Sequence, residues 1–342
     1  MPNYVPTALY TAQAKIIAKA QAAELRIREP RVFKTIKASG DLILNTKDLR
    51  TREDRAVEAP YLLRSSRTAN IQRTHDHTGV AGDSGIMSLA YTTYGDKFSI
   101  SLKQAGKNFF SQEEMFMNEV TNVIGNCIES IELAATNFLF SNKSGVNPVN
   151  VEGVYNTTSD TFEVSELTNG QRFVQIIKST MRLLKYTGTL DVYCNTVAYN
   201  KIQYQLAQGS ANQNNLSFQD GGINYINADF LGGIVAGVTE TAAYTKGYCI
   251  AVPTGTVGVA DWIPAENRRG YQSEVQTYGT FSNPVDGLLY ASHIYRARAN
   301  GTTVGGFTQD EITQYEYTVD LAFEKAPLSV STESSIFAFA LV

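Results

Sequence analysis

Residues 111–140 carry one apolar stripe: Met117, Val120, Ile124, Cys127 with Ile128, Ile131, Ala135 and Phe138 recur at spacings of three and four. That period places them on a single face of an α-helix. Ser111 stands where it can cap the first turn, and Glu114 completes a capping box. About 30 residues at ~1.5 Å each make a rod ~45 Å long. A rod of that length constrains the rest of the chain, which must be laid along it. Gly125, inside the rod, costs about 1 kcal/mol of helix propensity relative to Ala, so a close approach of neighbouring chain is expected there. Glu113, Glu114, Glu119, Glu129 and Glu132 are read as the solvated face.

The chain before the rod has a different character. Residues 7–29, rich in Ala, read as a weak helix that Pro30 stops. Residues 31–60 read as short strands broken by charge, with Val32, Phe33, Ile36, Leu42, Ile43 and Leu44 as their apolar points. Polar sequence then continues to about residue 90. Met87 to Ile100 alternates as one strand through Leu89, Tyr91, Tyr94, Phe98 and Ile100. Two extended limbs around a polar tip predict a long hairpin.

After the rod, helix and strand signals alternate. Thr168 and Gln171 form a second capping box before Phe173, Ile176, Ile177, Thr180, Met181 and Leu184. A strand at Leu190 to Cys194 and a helix over about Val197 to Ala207 follow, the order of a small α/β layer. Core strands are expected at 234–238, 248–253 and 257–262, and further strands at 287–299 and 314–323. The last residues, Ile336 to Val342, are apolar throughout and must be buried, in their own sheet or against a neighbour.

Charge separates the two regions. Residues 1–75 hold 14 Lys and Arg against 7 Asp and Glu, a net of +7, while the remainder holds 15 against 26, a net of -11. A basic arm on an acidic body suits contacts between subunits, and the total of -4 gives no sign of a dedicated DNA binder. Charged residues make up only 18%, which fits a protein that covers its surface by assembly. No run of 18 apolar residues exists, so no membrane helix is expected.

Candidate chemistry is thin. Gly82-Asp83-Ser84-Gly85 matches the string around a trypsin-like nucleophile, but only an arm without barrel pattern precedes it. His75 and His77 offer two imidazoles where a zinc site needs three or four ligands, so they read as solvated loop residues. Cys127, Cys194 and Cys249 lie far apart, form no CxxC pair and read as reduced, buried thiols. Gly255-Thr256-Val257-Gly258 lacks the lysine of a phosphate loop. No catalytic residue, metal or cofactor is called. Arg64, Arg67 and Arg73 form the most coherent charged patch, fitted to grip carboxylates of a neighbour or simply to solubilise a loop. Trp262, with Arg268 and Arg269 after it, reads as an interface turn or as a core tryptophan beside a surface turn.

The order of elements resembles that of the major capsid proteins of tailed bacteriophages, the HK97-like capsid fold. The resemblance is architectural and carried by no short motif. It implies an α+β chain with an N-terminal arm (1–40) and an extended β-hairpin loop (41–103). A peripheral domain with a long spine helix (104–160), an axial α/β domain (161–250) and a return to the peripheral sheet (251–342) follow. It further implies self-assembly as pentamers and hexamers into an icosahedral shell around double-stranded DNA, touched without sequence readout. Arg64, Arg67, Arg73, Trp262, Arg268 and Arg269 would then be intersubunit contacts. A scaffolding protein encoded separately, or none, is expected, with portal and decoration proteins as further partners. The setting would be the virion capsid, assembled in the cytoplasm of a bacterial host. No lysine–asparagine cross-link is expected. Two rivals stand beside this: another phage structural protein of the tail or minor shell, and a carbohydrate-active or binding module. The latter would need a carboxylate pair such as Asp229 with Glu240 or Asp261 with Glu266.

Overall fold

The computed structural model describes residues 14, 29–39, 42, 52–55, 58–63, 83–101, 112–210, 222–231, 246–297, 302–304, 307–309, 312–328 and 333–342. In chain order these form helix α1 (Arg31–Ala38), strands β1 (Glu58–Leu63), β2 (Asp83–Ser88) and β3 (Thr92–Ser101), and the long helix α2 (Gln112–Ser141). Strands β4 (Val154–Asn156) and β5 (Thr161–Val164) precede the short α3 (Glu166–Asn169) and α4 (Phe173–Leu183). Then come β6 (Leu190–Cys194), α5 (Thr196–Ser210), β7 (Ile223–Asn227), β8 (Tyr248–Pro253) and β9 (Val257–Trp262). The chain closes with α6 (Ala265–Arg269), β10 (Gln276–Ser282), β11 (Leu289–Ala297), β12 (Thr302–Val304), β13 (Phe307–Gln309), β14 (Ile312–Lys325) and β15 (Phe337–Leu341).

Two larger sheets organise these elements. In the first, β14 is the long central strand: β11 and then β9 pair along one edge, β3 runs along the other, and β10 extends the sheet beyond β11. Alternation along β14 sends Tyr315, Tyr317, Val319 and Leu321 to one face, where α2 packs with Phe116, Met117 and Val120. Phe98 of β3 stacks on Tyr315 at 4.9 Å, and Phe116 meets the same ring edge-on at 4.9 Å. The second sheet has the order β4-β5-β15-β8-β6-β7. Its strands β6, β8 and β15 are buried along their whole length, as covered central strands require. One face meets α2 through Tyr193, Tyr248 and Ile250; the other meets α4 and α5 through Val192, Cys249 and Phe339. The rod is thus shared between the sheets, with Phe138 against Phe323 of one and Phe140 against Tyr248 of the other.

The long helix and the strands at 190–194, 248–253 and 257–262 lie where the patterns place them. Several other expectations are corrected. Arg31–Ala38 is a helix, not a broken strand. Val32, Phe33 and Ile36 share its buried face, and Pro30 stands at its start, where a missing N–H costs nothing. Glu132 is not on a solvated face: it is 2% exposed, and its two carboxylate oxygens accept the backbone N–H groups of Val32 and Phe33 at 2.9 Å each. The expected strand from Met87 to Ile100 is two strands, β2 and β3, separated at 89–91 where Leu89 turns into a small core. Thr168 caps no long helix; α4 begins only at Phe173, after a 3-10 turn at 170–172. The apolar end of the chain is β15, in the middle of the second sheet. Sheet membership does not follow a linear division at 160 and 250, because β4 and β15 both belong to the second sheet. The expected helix over 7–29 and strand over 234–238 lie outside the described residues, save for Ala14, which is helical, and Glu29, which is not.

Candidate interface at the hairpin root

Strands β1 and β2 pair antiparallel from Glu58↔Ser88 to Leu63↔Asp83, and among the described residues they pair with no other strand. Their root is anchored on the outer face of the first sheet. Ala59, Met87 and Leu89 pack there against Ala260 of β9 and Ala322 of β14. Residues 52–55, leading into the hairpin, cross the same face and meet Trp262 and α6.

Local sequence explains α6. Pro264 opens the helix in an extended conformation, and Gly270 closes it in the left-handed region at φ 71. The Gly270 and Tyr271 amides both return to the Glu266 carbonyl. Asn267, buried, donates through Nδ2 to the carbonyls of Gly279 (3.0 Å) and Ser292 (2.8 Å), fixing α6 to β10 and β11. That fixes where Arg268 and Arg269 project. The Arg268 guanidinium donates to the carbonyls of Ile263 and Arg52, and Arg269 pairs with Glu53. Trp262 is 8% exposed; its Nε1 donates to the Arg52 carbonyl at 3.2 Å, and the Arg55 guanidinium lies 5.5 Å over its ring. Arg55 also pairs at 3.2 Å with Asp320, which stands between Trp262 and Thr93 in the sheet and accepts from the Thr93 hydroxyl.

The arrangement is a clasp. Trp262, Arg268 and Arg269 come together, and each grips 52–55 of its own chain. Arg64, Arg67 and Arg73 lie outside the described residues, as do His75 and His77. The other members of the clasp, Arg52, Glu53, Arg55 and Asp320, carry no signal of this role in the sequence; Asp320 lies in an alternating strand as one more polar residue. The Arg269–Glu53 pair is exposed on both sides and adds little; the buried carboxylate of Asp320 and the indole carry more. Trp262→Phe removes the Nε1 donor and weakens the cation–π contact. A loss of about 1–2 kcal/mol is expected, seen as a lower unfolding midpoint and faster amide exchange over 52–63. Unchanged exchange there would show that the clasp does not hold the hairpin.

Further along the same face the sheet is uncovered by other described residues. The row Tyr278, His293, Glu316 and Lys97 crosses four strands in register. His293 stacks on Tyr278 at 4.5 Å and lies 3.7 Å from the Glu316 carboxylate, in a depression of about 360 Å³. At the far edge of the second sheet, Val149, Val151, Val154 and Leu167 are exposed. Ser84, of the protease-like string, is an exposed residue of strand β2 facing Leu62 across the hairpin. Among the described residues, no three His, Cys, Asp or Glu side chains are grouped to hold a metal, and Glu266 is exposed while Asp261 is buried.

No family model and no curated protein sequence matches this chain. Solved structures do. A chain of the cyanophage A-1(L) capsid asymmetric unit aligns with 92% of this chain and 93% of its own at TM-score 0.52 and 9% identity. The capsid of Ralstonia phage GP4 aligns over 92% of each chain at TM-score 0.46 and 10% identity. A structure from Mycobacterium phage Bobi aligns over 92% of this chain and 91% of its own, at 0.45 and 10%. Identities this low speak for the fold alone, and on the first of these alignments the chain has the α+β fold of phage capsid proteins, the HK97-like fold.

Proposed function

We propose that this chain is a major capsid protein that self-assembles into an icosahedral shell enclosing phage double-stranded DNA. What supports the reading most is that the likeness to a chain of a phage capsid covers 92% of this chain, not one module of it. In this reading α2 is the spine helix and the first sheet the peripheral domain. The second sheet with α4 and α5 is the axial domain, and β1 and β2 are the stem of the extended loop. A two-stranded stem that pairs only with itself among the described residues, and leaves Ile86 66% exposed, suits an element that finds its cover on a neighbour. Pentamers and hexamers would tile by repeated modest contacts, strengthened because each contact raises the effective concentration for the next. Arg64, Arg67 and Arg73 would act between subunits, while Trp262, Arg268 and Arg269 would hold the hairpin root that reaches the neighbour. Scaffolding, portal and decoration proteins would be further partners, DNA would be met without sequence readout, and assembly would take place in the bacterial cytoplasm.

Expression of the chain, followed by negative-stain electron microscopy and light-scattering mass, tests this. Closed shells of uniform diameter are expected. Open tubes or single rings would move the assignment to another phage structural protein. A stable monomer with a ligand in screening would replace it with a binding or carbohydrate-active module.

A further inference from the structure

The three cysteines are scattered in sequence, yet two of them meet. Cys194 ends β6, Cys249 stands second in β8, and the antiparallel register sets them directly opposite each other. The next pair along, Asn195 and Tyr248, is joined by the Asn195 N–H donating to the Tyr248 carbonyl at 2.9 Å. Hydrogen-bonded and non-hydrogen-bonded positions alternate in an antiparallel ladder, so Cys194 and Cys249 occupy a non-hydrogen-bonded position. There the Cα atoms stand about 4.5 Å apart and side chains approach most closely, a spacing inside the range that a disulfide spans. The two Sγ atoms are 3.2 Å apart, roughly 1 Å beyond the length of an S–S bond. Both residues are fully buried, and no disulfide joins them in the structure.

Their surroundings differ from those of the third cysteine. Cys127 lies on α2 in the other core cluster, where burial pushes its thiol up to about 12. Around the pair, Tyr225 of β7 adds a buried hydroxyl that meets no hydrogen-bond partner among the described residues. Burial first, and the two sulfurs second, raise the pKa of that hydroxyl, so it stays protonated and able to donate beside a forming thiolate.

We propose that Cys194 and Cys249 are an oxidation-dependent cross-strand staple, closing to a disulfide on exposure to a peroxide and reopening with a thiol reductant. One sulfur, as thiolate, attacks a peroxide oxygen; the O–O bond breaks, leaving a sulfenic acid and, with a proton, water. The second sulfur displaces the sulfenic oxygen, which leaves as water, and the S–S bond forms. Two thiols and one hydrogen peroxide give one disulfide and two waters. The closed form ties β6 to β8 across the 55 residues that separate the two cysteines in sequence. Resting on the capsid reading, the consequence is a subunit that folds with thiols in a reducing cytoplasm and is stapled once particles reach an oxidising exterior.

The test uses the purified full chain: graded hydrogen peroxide, quenching, unfolding, alkylation and peptide mass spectrometry. Expected is a peptide pair linked through Cys194 and Cys249 with the loss of two hydrogens, reversed by dithiothreitol, while Cys127 remains alkylated. The unfolding midpoint is expected to rise by roughly 5 °C on closure. Cys127→Ala keeps the linked species, and Cys194→Ala or Cys249→Val abolishes it; the wild-type map decides even where a variant fails to fold. Three alkylated cysteines after peroxide, or oxygen added to single cysteines without a linked pair, would overturn the proposal. Repeating the map on assembled particles separates the two readings: a linked pair in a chain that forms no particles keeps the staple and removes its capsid role.

Discussion

Glu132→Ala is expected to lower the stability of the folded chain by about 3 kcal/mol near pH 5.5 and to loosen α1 from the long helix. The Glu132 carboxyl group is the N-terminal cap of α1, its oxygens accepting the amides of Val32 and Phe33 across 100 and 99 residues of sequence. Alanine leaves both amides buried without an acceptor, at about 1–3 kcal/mol each. α1 itself packs against α2, β7 and β9, so its release uncovers the junction of the two sheets. One effect opposes this loss. Burial pushes the Glu132 carboxyl up to about 7, against the pull of the Phe33 and Val32 amides, with Asp229 adding to the rise and Arg31 opposing it. An acid whose folded pKa lies above its unfolded value stabilises the fold fully below the unfolded value, near 4.5, and loses that contribution as pH climbs through about 7. The difference is about 3 kcal/mol. The wild-type chain should therefore lose stability from this group between about pH 4.5 and 7, and the cost of Glu132→Ala should shrink by about 2 kcal/mol between pH 5.5 and 8.5. Glu132→Gln, neutral at both pH values and keeping one acceptor, should lie between and flatten the profile. Urea unfolding at pH 5.5 and 8.5, with amide exchange at Val32 and Phe33, measures this. No loss at either pH, or an equal loss at both, would remove Glu132 as a titrating cap.

Phe339→Ala is expected to cost about 3–5 kcal/mol. Phe339 is fully buried in the centre of β15 and meets Phe162 edge-on at 6.0 Å, in the cluster that includes Phe173 and Ile176 of α4. β15 runs parallel to β5 on one side and antiparallel to β8 on the other. Removal of residues 337–342 therefore takes out two hydrogen-bonded ladders and divides the sheet into β4-β5 and β8-β6-β7. Each fragment then presents a long unpaired edge, a template for aggregation. The truncated chain should be insoluble, whereas Phe339→Leu, which keeps most of the volume, should lose under about 1.5 kcal/mol. Thermal unfolding of the two point variants and fractionation of the truncated chain decide the matter. A truncated chain that stays soluble and melts as the full chain does would show that β15 does not bind the sheet together.

Elements with long, uniform burial were legible because one period governs many residues. The stripe of α2 is met by a core along most of its length, and β6, β8 and β9 are runs that read as buried strands before any partner is known. Arg31–Ala38 does not read as a helix in the sequence because eight residues are too few for helix formation by propensity. Its apolar spacing of one and four is short enough to pass for a strand, and its cap is on another helix. At the candidate interface, Trp262 and the two arginines were visible as residue types. That they grip 52–55 was not, because the segment is over 200 residues away in sequence.

The rod, the buried strands and the apolar end are written in the residues themselves. Each of these depends on local period and composition, which a linear chain displays. Only the tertiary structure decided which sheet each strand joins, that Glu132 is a cap and not a surface charge, and that Cys194 and Cys249 share one position of a ladder. Those depend on which distant segments come into register. Register is set by burial of whole faces against one another, and no local stretch of residues encodes it.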